Sequence, residues 1–328
     1  MPYRILHIII FSVFLTLGTV QAQNIHFSRY DFQPLLLNPA NSGSYLGSYR
    51  VTAIYRDQWA NLLPNRFSTP AISIDAPLGI AFRDQDWIGI GVSFFQDKAG
   101  AGKLTTTGFS GYLSYHLALD KNQKSVLTLG LNGGSKNRKL GNINDFIFED
   151  QSSGIGNLSL EGSGGTVFGA GMLLTTAINE TDDLRIGFSA QNLLPIKYQL
   201  TNSSNEKEIA EYNIHAEASF LLTNELTLEP AIVYQLKESQ NLGYGQAKFG
   251  YTIDREKELR LVAGLGYRLG RAVQVLAGVD YKSWRVGIGY DLNTNPLVPA
   301  QAFEIGLSYI GKIYKRPKVK EVILCPPF

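Results

Sequence analysis

The sequence predicts an all-β protein, a transmembrane antiparallel β-barrel of about fourteen strands with short periplasmic turns and long extracellular loops. Three observations carry that expectation. From Ser48 onward, apolar residues alternate with polar or small ones over repeated stretches of roughly eight to twelve positions, the period of strands with two different faces. Aromatic side chains, among them Tyr267, Tyr281, Trp284, Tyr290 and Tyr309, gather near the ends of those stretches, as interfacial girdles require. The even-numbered strands mostly end in short polar turns and the odd-numbered ones in longer segments. A soluble sandwich also alternates, but it gives no reason for that asymmetry.

Taken in order, the chain opens with "MPYRILHIIIFSVFLTLGTVQAQ", which has one early cation, Arg4, an apolar core from Ile5 to Leu17 and a small-residue close at Ala22. This is the pattern of a cleaved signal peptide, residues 1–22. The expected mature start is Gln23 and not a cysteine, which argues against a lipid anchor. Residues 23–47 then form a periplasmic or lumen-plugging segment. Within it, "LLLNPANSGSY" sets Leu35, Leu36 and Leu37 against Asn38 and Pro39. Pro39 holds Asn38 away from helix, and the small residues that follow let the chain reverse into the first strand. The leucines, with Phe27, Tyr30 and Phe32 before them, cannot face lipid as a strand would. The segment is therefore expected to tuck into the periplasmic end of the lumen, with Asn38 bonded to backbone; a short soluble helix beneath the barrel is the alternative.

The barrel itself is expected over 48–310, with strands at 48–57, 67–75, 87–96, 105–117, 125–134, 166–176, 184–191, 213–222, 226–235, 246–253, 259–269, 273–281, 284–292 and 302–310. In "LRLVAGLGYRLG", Leu259, Leu261, Leu265 and Tyr267 share one face while Arg260, Gly264 and Arg268 share the other. Hydrocarbon offers no partner to a free N–H or C=O, so such a sheet spans only if its edges join. The inward charges Arg260, Arg268, Arg285, Glu229 and Asp280 are expected to pair across the interior.

Two loops and the tail exceed what a plain barrel needs. Ser135 to Gly165 contains "DFIFED" with Phe146, Ile147 and Phe148, and Asn192 to Tyr212 opens with "NLLPIKY", which carries Leu193, Leu194 and Tyr198. Each patch either folds over the barrel mouth or meets an exported protein. The tail, 311–328, is basic first and apolar last. Lys318, Lys320, Leu324, Cys325 and Phe328 are its candidate contacts to a periplasmic partner, against the alternative of a disordered end.

Composition narrows the function. A formal charge of +2 over 328 residues, with only short basic runs, argues against nucleic acid as a partner. The single cysteine excludes an internal disulfide framework. After the signal, no run approaches the ~18 apolar residues of a helical anchor. His26, His116 and His215 stand alone without ligand spacing, so neither a metal nor a cofactor is expected. "GLGYRLG" imitates a dinucleotide fingerprint, but it lies inside an alternating strand with no helix after it. "SYH" puts Ser114 and His116 on one strand face in a generic context, and no enzyme activity is expected.

The stretches "FSRYDFQPLLLNPANSGSY", "RVTAIYRDQWANL", "STPAISIDAPL", "FFQDKAGAGKLTTTGFSGYLSYHLAL" and the closing "LCPPF" resemble the PorP/SprF family of Bacteroidetes, outer-membrane proteins of the type IX secretion system. The resemblance covers nearly the whole mature chain. It implies a fourteen-stranded outer-membrane barrel set in lipid that works with the type IX machinery, either as a machinery-associated component or as a partner for secretion and surface anchoring of a large exported adhesin, and it brings no catalytic residue. The implied partners are a secreted cargo, through the C-terminal secretion domain of an adhesin, at the extracellular face, and type IX or other envelope proteins at the periplasmic face. A second reading is an outer-membrane transporter for small apolar molecules with the N-terminus as its plug.

Overall fold

A computed structural model describes residues 26–58, 67–100, 104–141, 162–199, 206–237, 240–294 and 301–313. The strands are β1 (Tyr49–Gln58), β2 (Phe67–Leu78), β3 (Trp87–Ala99), β4 (Leu104–Ala118), β5 (Ser125–Lys139), β6 (Ser163–Ala177), β7 (Asp183–Gln191), β8 (Ile196–Tyr198), β9 (Glu206–Glu208), β10 (Glu211–Leu221), β11 (Leu226–Lys237), β12 (Gln240–Asp254), β13 (Leu259–Arg268), β14 (Ala272–Tyr281), β15 (Trp284–Asn293) and β16 (Ala302–Gly311). All but β8 and β9 form one closed antiparallel barrel of fourteen strands. Closure is made by β1 against β16, in register from Tyr49 opposite Gly311 to Gln58 opposite Ala302. No barrel edge is left to expose unpaired amides to lipid.

Each barrel strand coincides with a stretch whose alternation predicts it. Several rise further than expected at the end carrying the long loops: β5 runs on to Lys139, β6 starts at Ser163 and β12 at Gln240. The upper part of β5, "SKNRK", is polar at every position, so no apolar period marks it. Above the lipid only backbone pairing is needed to keep it a strand. The loop expected over 135–165 is thus partly wall. The asymmetry between the two ends is also narrower than the sequence suggests. At the loop end, the connections at 100–103, 238–239 and 269–271 are as short as the turns, and the difference rests chiefly on 140–162 and 192–210.

The burial pattern is that of a protein turned inside out. Outward residues such as Leu129, Ile232 and Leu265 are more than half exposed, while the inward Gln274, His215 and Glu304 are almost wholly buried. An exposed apolar belt of this extent belongs in lipid. Tyr281 and Trp284 stand exposed at the turn end, where Trp284 lies 4.6 Å from Tyr309, centroid to centroid. At the loop end, Tyr267 and Tyr212 face outward likewise. These are the two girdles at which amphipathic rings meet the interfaces. No described helix is long and apolar enough to cross a membrane.

Candidate functional site

The lumen is filled by the chain's own N-terminal segment. From His26 it passes through a 3-10 turn (Tyr30–Phe32), the single-turn helix α1 (Pro34–Leu37) and a second 3-10 turn (Pro39–Asn41) before entering β1. Pro34 and Pro39 each sit at the first position of their turns, where the missing N–H costs nothing. Leu35, Leu37, Asn38 and Pro39 are buried and Leu36 is half-buried. Tyr30 and Leu37 pack on Ala231, Val233, Leu242 and Tyr244 of the wall, and Phe27 and Phe32 on Ile54 and Ala71, with Leu36 and Phe95 against them. Asn38 Nδ2 donates to the carbonyls of Met172 (3.0 Å) and Phe188 (3.3 Å), and its Oδ1 accepts from Ala40 N at 2.9 Å. Ser189 Oγ donates to the Leu37 carbonyl at 2.7 Å.

The segment is not confined to the turn end, as the sequence leads one to expect; it runs the length of the lumen. At the turn end, Trp87 Nε1 donates to the Gly43 carbonyl, and Ser114 Oγ donates to the Ser42 carbonyl at 2.7 Å. His116 stacks on Trp87 at 4.5 Å and bonds to Ser114 at 3.0 Å and to Thr128 at 2.9 Å. The Ser114–His116 pair thus braces the plug from a fully buried position. At the other extreme, Ser28 meets residues from six strands, Arg56 of β1 among them at 3.4 Å. Glu304 accepts two successive backbone amides, Ser28 N (2.8 Å) and Arg29 N (2.7 Å). Ser28 Oγ donates to Asp291 at 2.7 Å and accepts from Arg268 at 2.7 Å and Gln274 at 2.9 Å. Gln246 Nε2 donates to the Ser28 carbonyl at 2.8 Å. The reason is polarity: the plug's upper backbone carries free donors, and the wall offers carboxylates and amides there.

Charges inside the barrel pair with one another. Arg56 bridges Glu304 and Asp291, Arg260 bridges Glu229 and Asp280, and Arg285 meets Asp280 at 3.1 Å. Within the plug, Arg29 forks onto Asp31 at 2.9 and 3.0 Å, and its Nη1 donates to the Ala277 carbonyl at 2.9 Å. The inward set was legible from alternation, but the Arg56–Asp291–Glu304 centre was not. Arg56 lies more than two hundred residues from both Asp291 and Glu304, and only closure of the barrel brings it to them.

The mouth is latched by a hairpin that sequence reasoning missed. β8 and β9 pair Ile196 with Glu208 through Tyr198 with Glu206, and Ile196 and Tyr198 pack on Val167 at the inner face of β6. Glu208 accepts from Lys136 on β5 (2.8 Å), Lys237 on β11 (3.0 Å) and the Tyr198 hydroxyl (2.9 Å). Arg138 lies 4.2 Å over the Tyr198 ring. Burial alone would raise the Glu208 pKa, but the charges of Lys136 and Lys237 overcome it and hold the carboxyl down at about 2. Tyr198, named above as a contact for an exported protein, is therefore wholly buried in the latch. Its neighbours Leu193 and Leu194 are exposed. Phe146, Ile147 and Phe148, the signal segment 1–22, and the tail candidates Lys318, Lys320, Leu324, Cys325 and Phe328 lie outside the described residues. Between plug and latch remains a cavity of about 120 Å³.

A closed barrel with an apolar belt, a polar interior and its own N-terminal segment as plug is a membrane barrel of the outer-membrane type. The chain matches the family described as "Type IX secretion system membrane protein PorP/SprF" over residues 19–309, and it belongs to that family. No curated protein matches it. Among solved structures it is similar to the toluene transporter TbuX of Ralstonia pickettii, with TM-score 0.54, 11% identity, and 91% of this chain and 96% of that one covered. The CymD monoaromatic hydrocarbon channel gives 0.54 and 11%, covering 90% and 95%. A FadL homologue of Pseudomonas aeruginosa gives 0.51 and 9%, covering 83% and 92%. At these identities the likeness is one of fold.

Proposed function

We propose that the protein is a non-enzymatic partner of type IX secretion, one that receives and holds a large exported adhesin at the cell surface. In this reading the long loops face outside, the turn end faces the periplasm, and the signal peptide 1–22 is removed. The observation that carries it is the closed lumen. A barrel occupied along its length by residues 26–45 and latched at its mouth by Glu208 offers its rim, not its bore, for work. The cargo's C-terminal secretion domain would bind the loop rim through Leu193 and Leu194, which stand exposed, and through Phe146, Ile147 and Phe148. The tail, with Lys318, Lys320, Leu324, Cys325 and Phe328, would meet envelope proteins beneath. Affinity purification from native outer membrane in mild detergent tests this. A co-purifying adhesin is expected, and recovery of the barrel alone would overturn it.

A further inference from the structure

Several of the buried polar atoms left without a partner among the described residues gather on the wall of one cavity, the one between plug and latch. Gln33, almost wholly buried, leaves both Oε1 and Nε2 unpartnered. Asn132 Oδ1, Gln235 Oε1 and His26 Nδ1 are likewise buried without a partner, and all four residues line this one cavity. Buried polar groups are rarely left so, because each forfeits the bonds it had in water. Terminal amide torsions are broad, so rotation about them is open to these side chains.

The rest of the wall says what would satisfy them. Aromatic rings from Tyr30, Tyr244 and Phe95 flank the space. Its two charged side chains are already engaged: Lys136 is held by Glu208 at 2.8 Å, and Glu211 accepts from Gln235 at 3.4 Å. An ionic ligand therefore finds no free counter-charge. A purely apolar one would leave the amides orphaned. A peptide strand supplies donors and acceptors in equal number, whereas most of the orphaned atoms here are acceptors. A neutral hydroxylated ring answers these polar and aromatic features: its hydroxyls would donate to the amide oxygens and accept from Gln33 Nε2, and its C–H face would lie on an aromatic ring.

We propose that this cavity is a binding site for one neutral sugar residue, either a free monosaccharide or the terminal residue of a surface glycan. The inference does not rest on the secretion reading, and a barrel that holds an adhesin without sugar affinity would refute only this one. Purified full-length protein is titrated with glucose, galactose and N-acetylglucosamine and followed by saturation-transfer NMR, with galacturonate and toluene as ionic and apolar comparisons. At least one neutral sugar is expected to saturate and compete, and the comparisons are not. Asn132→Leu and Gln235→Leu, each checked for folding by heat-modifiable gel mobility, are expected to weaken it about tenfold. The same sugars tethered through their reducing ends separate the two sources: retained binding points to a glycan terminus, lost binding to a free sugar. Absence of saturation up to about 100 mM, a hundredfold above a weak 1 mM affinity, would overturn the proposal and leave ordered water as the occupant. Equal binding by both folded variants, or preference for toluene, would overturn it as well.

Discussion

At the scale of single residues, the plug is held by a few polar groups whose partners are fixed by barrel closure. Arg56 is the sharpest case, since it is almost wholly buried against Glu304 and Asp291. Replacing a buried ion pair by apolar residues is often neutral, but removing one partner strands the other charge. Arg56→Met is therefore expected to cost about 3–5 kcal/mol, read as a lower temperature for loss of heat-modifiable mobility on gels. Asn38→Ala removes the bonds to Met172 and Phe188 and should cost less, about 1–3 kcal/mol. It should appear first as faster hydrogen exchange in residues 39–44 with the barrel amides unchanged. The turn at Asn38 was legible, because Asn-Pro has local geometry that a sequence displays. The role of Glu304 was not: alternation puts it inside, but nothing local says that it accepts the amides of Ser28 and Arg29.

At the scale of elements, the plug's close approach to the wall and the mouth hairpin each carry a test. Gly130 lies where the second 3-10 turn touches β5, and a Cβ there would sit 2.3 Å from the backbone nitrogen of Ala40. Gly130→Leu is expected to push Pro39–Asn41 off the wall while the strand keeps its pairing, detected as faster exchange in the turn and intact exchange protection in β5. The hairpin answers to Glu208. A carboxyl with its pKa lowered from 4.5 to about 2 stabilises the docked hairpin fully above about 4.5 and loses that contribution only as pH falls through about 2. Exchange at 196–198 and 206–208 should thus hardly respond to docking between pH 7 and pH 5, once corrected for intrinsic rates. Glu208→Ala should release it at both. The strands were legible because lipid outside and water-like polarity inside impose a period of two. The hairpin was not, because "IKY" and "EKE" are too short to show a period and owe their pairing to lysines on β5 and β11.

At the scale of the whole molecule, the course of the chain along the lumen bears on the function proposed. From His26 in the loop-end half the chain descends past Asn38 and leaves at the turn end into β1, so the barrel closes around a strand-long length of its own chain. The sequence shows an apolar knot in need of a surface; it does not show how far the knot extends, since Ser28 and Arg29 look like ordinary polar linker residues. Among the described residues the bore is occupied by the chain's own segment, which supports the proposed surface-holding role over passage through the bore. Planar-bilayer recording on the full-length protein tests that claim most directly. The closed lumen predicts no steady ion current from the intact chain, with current appearing in Gly130→Leu. A steady open conductance in the intact protein, unchanged by that substitution, would contradict it.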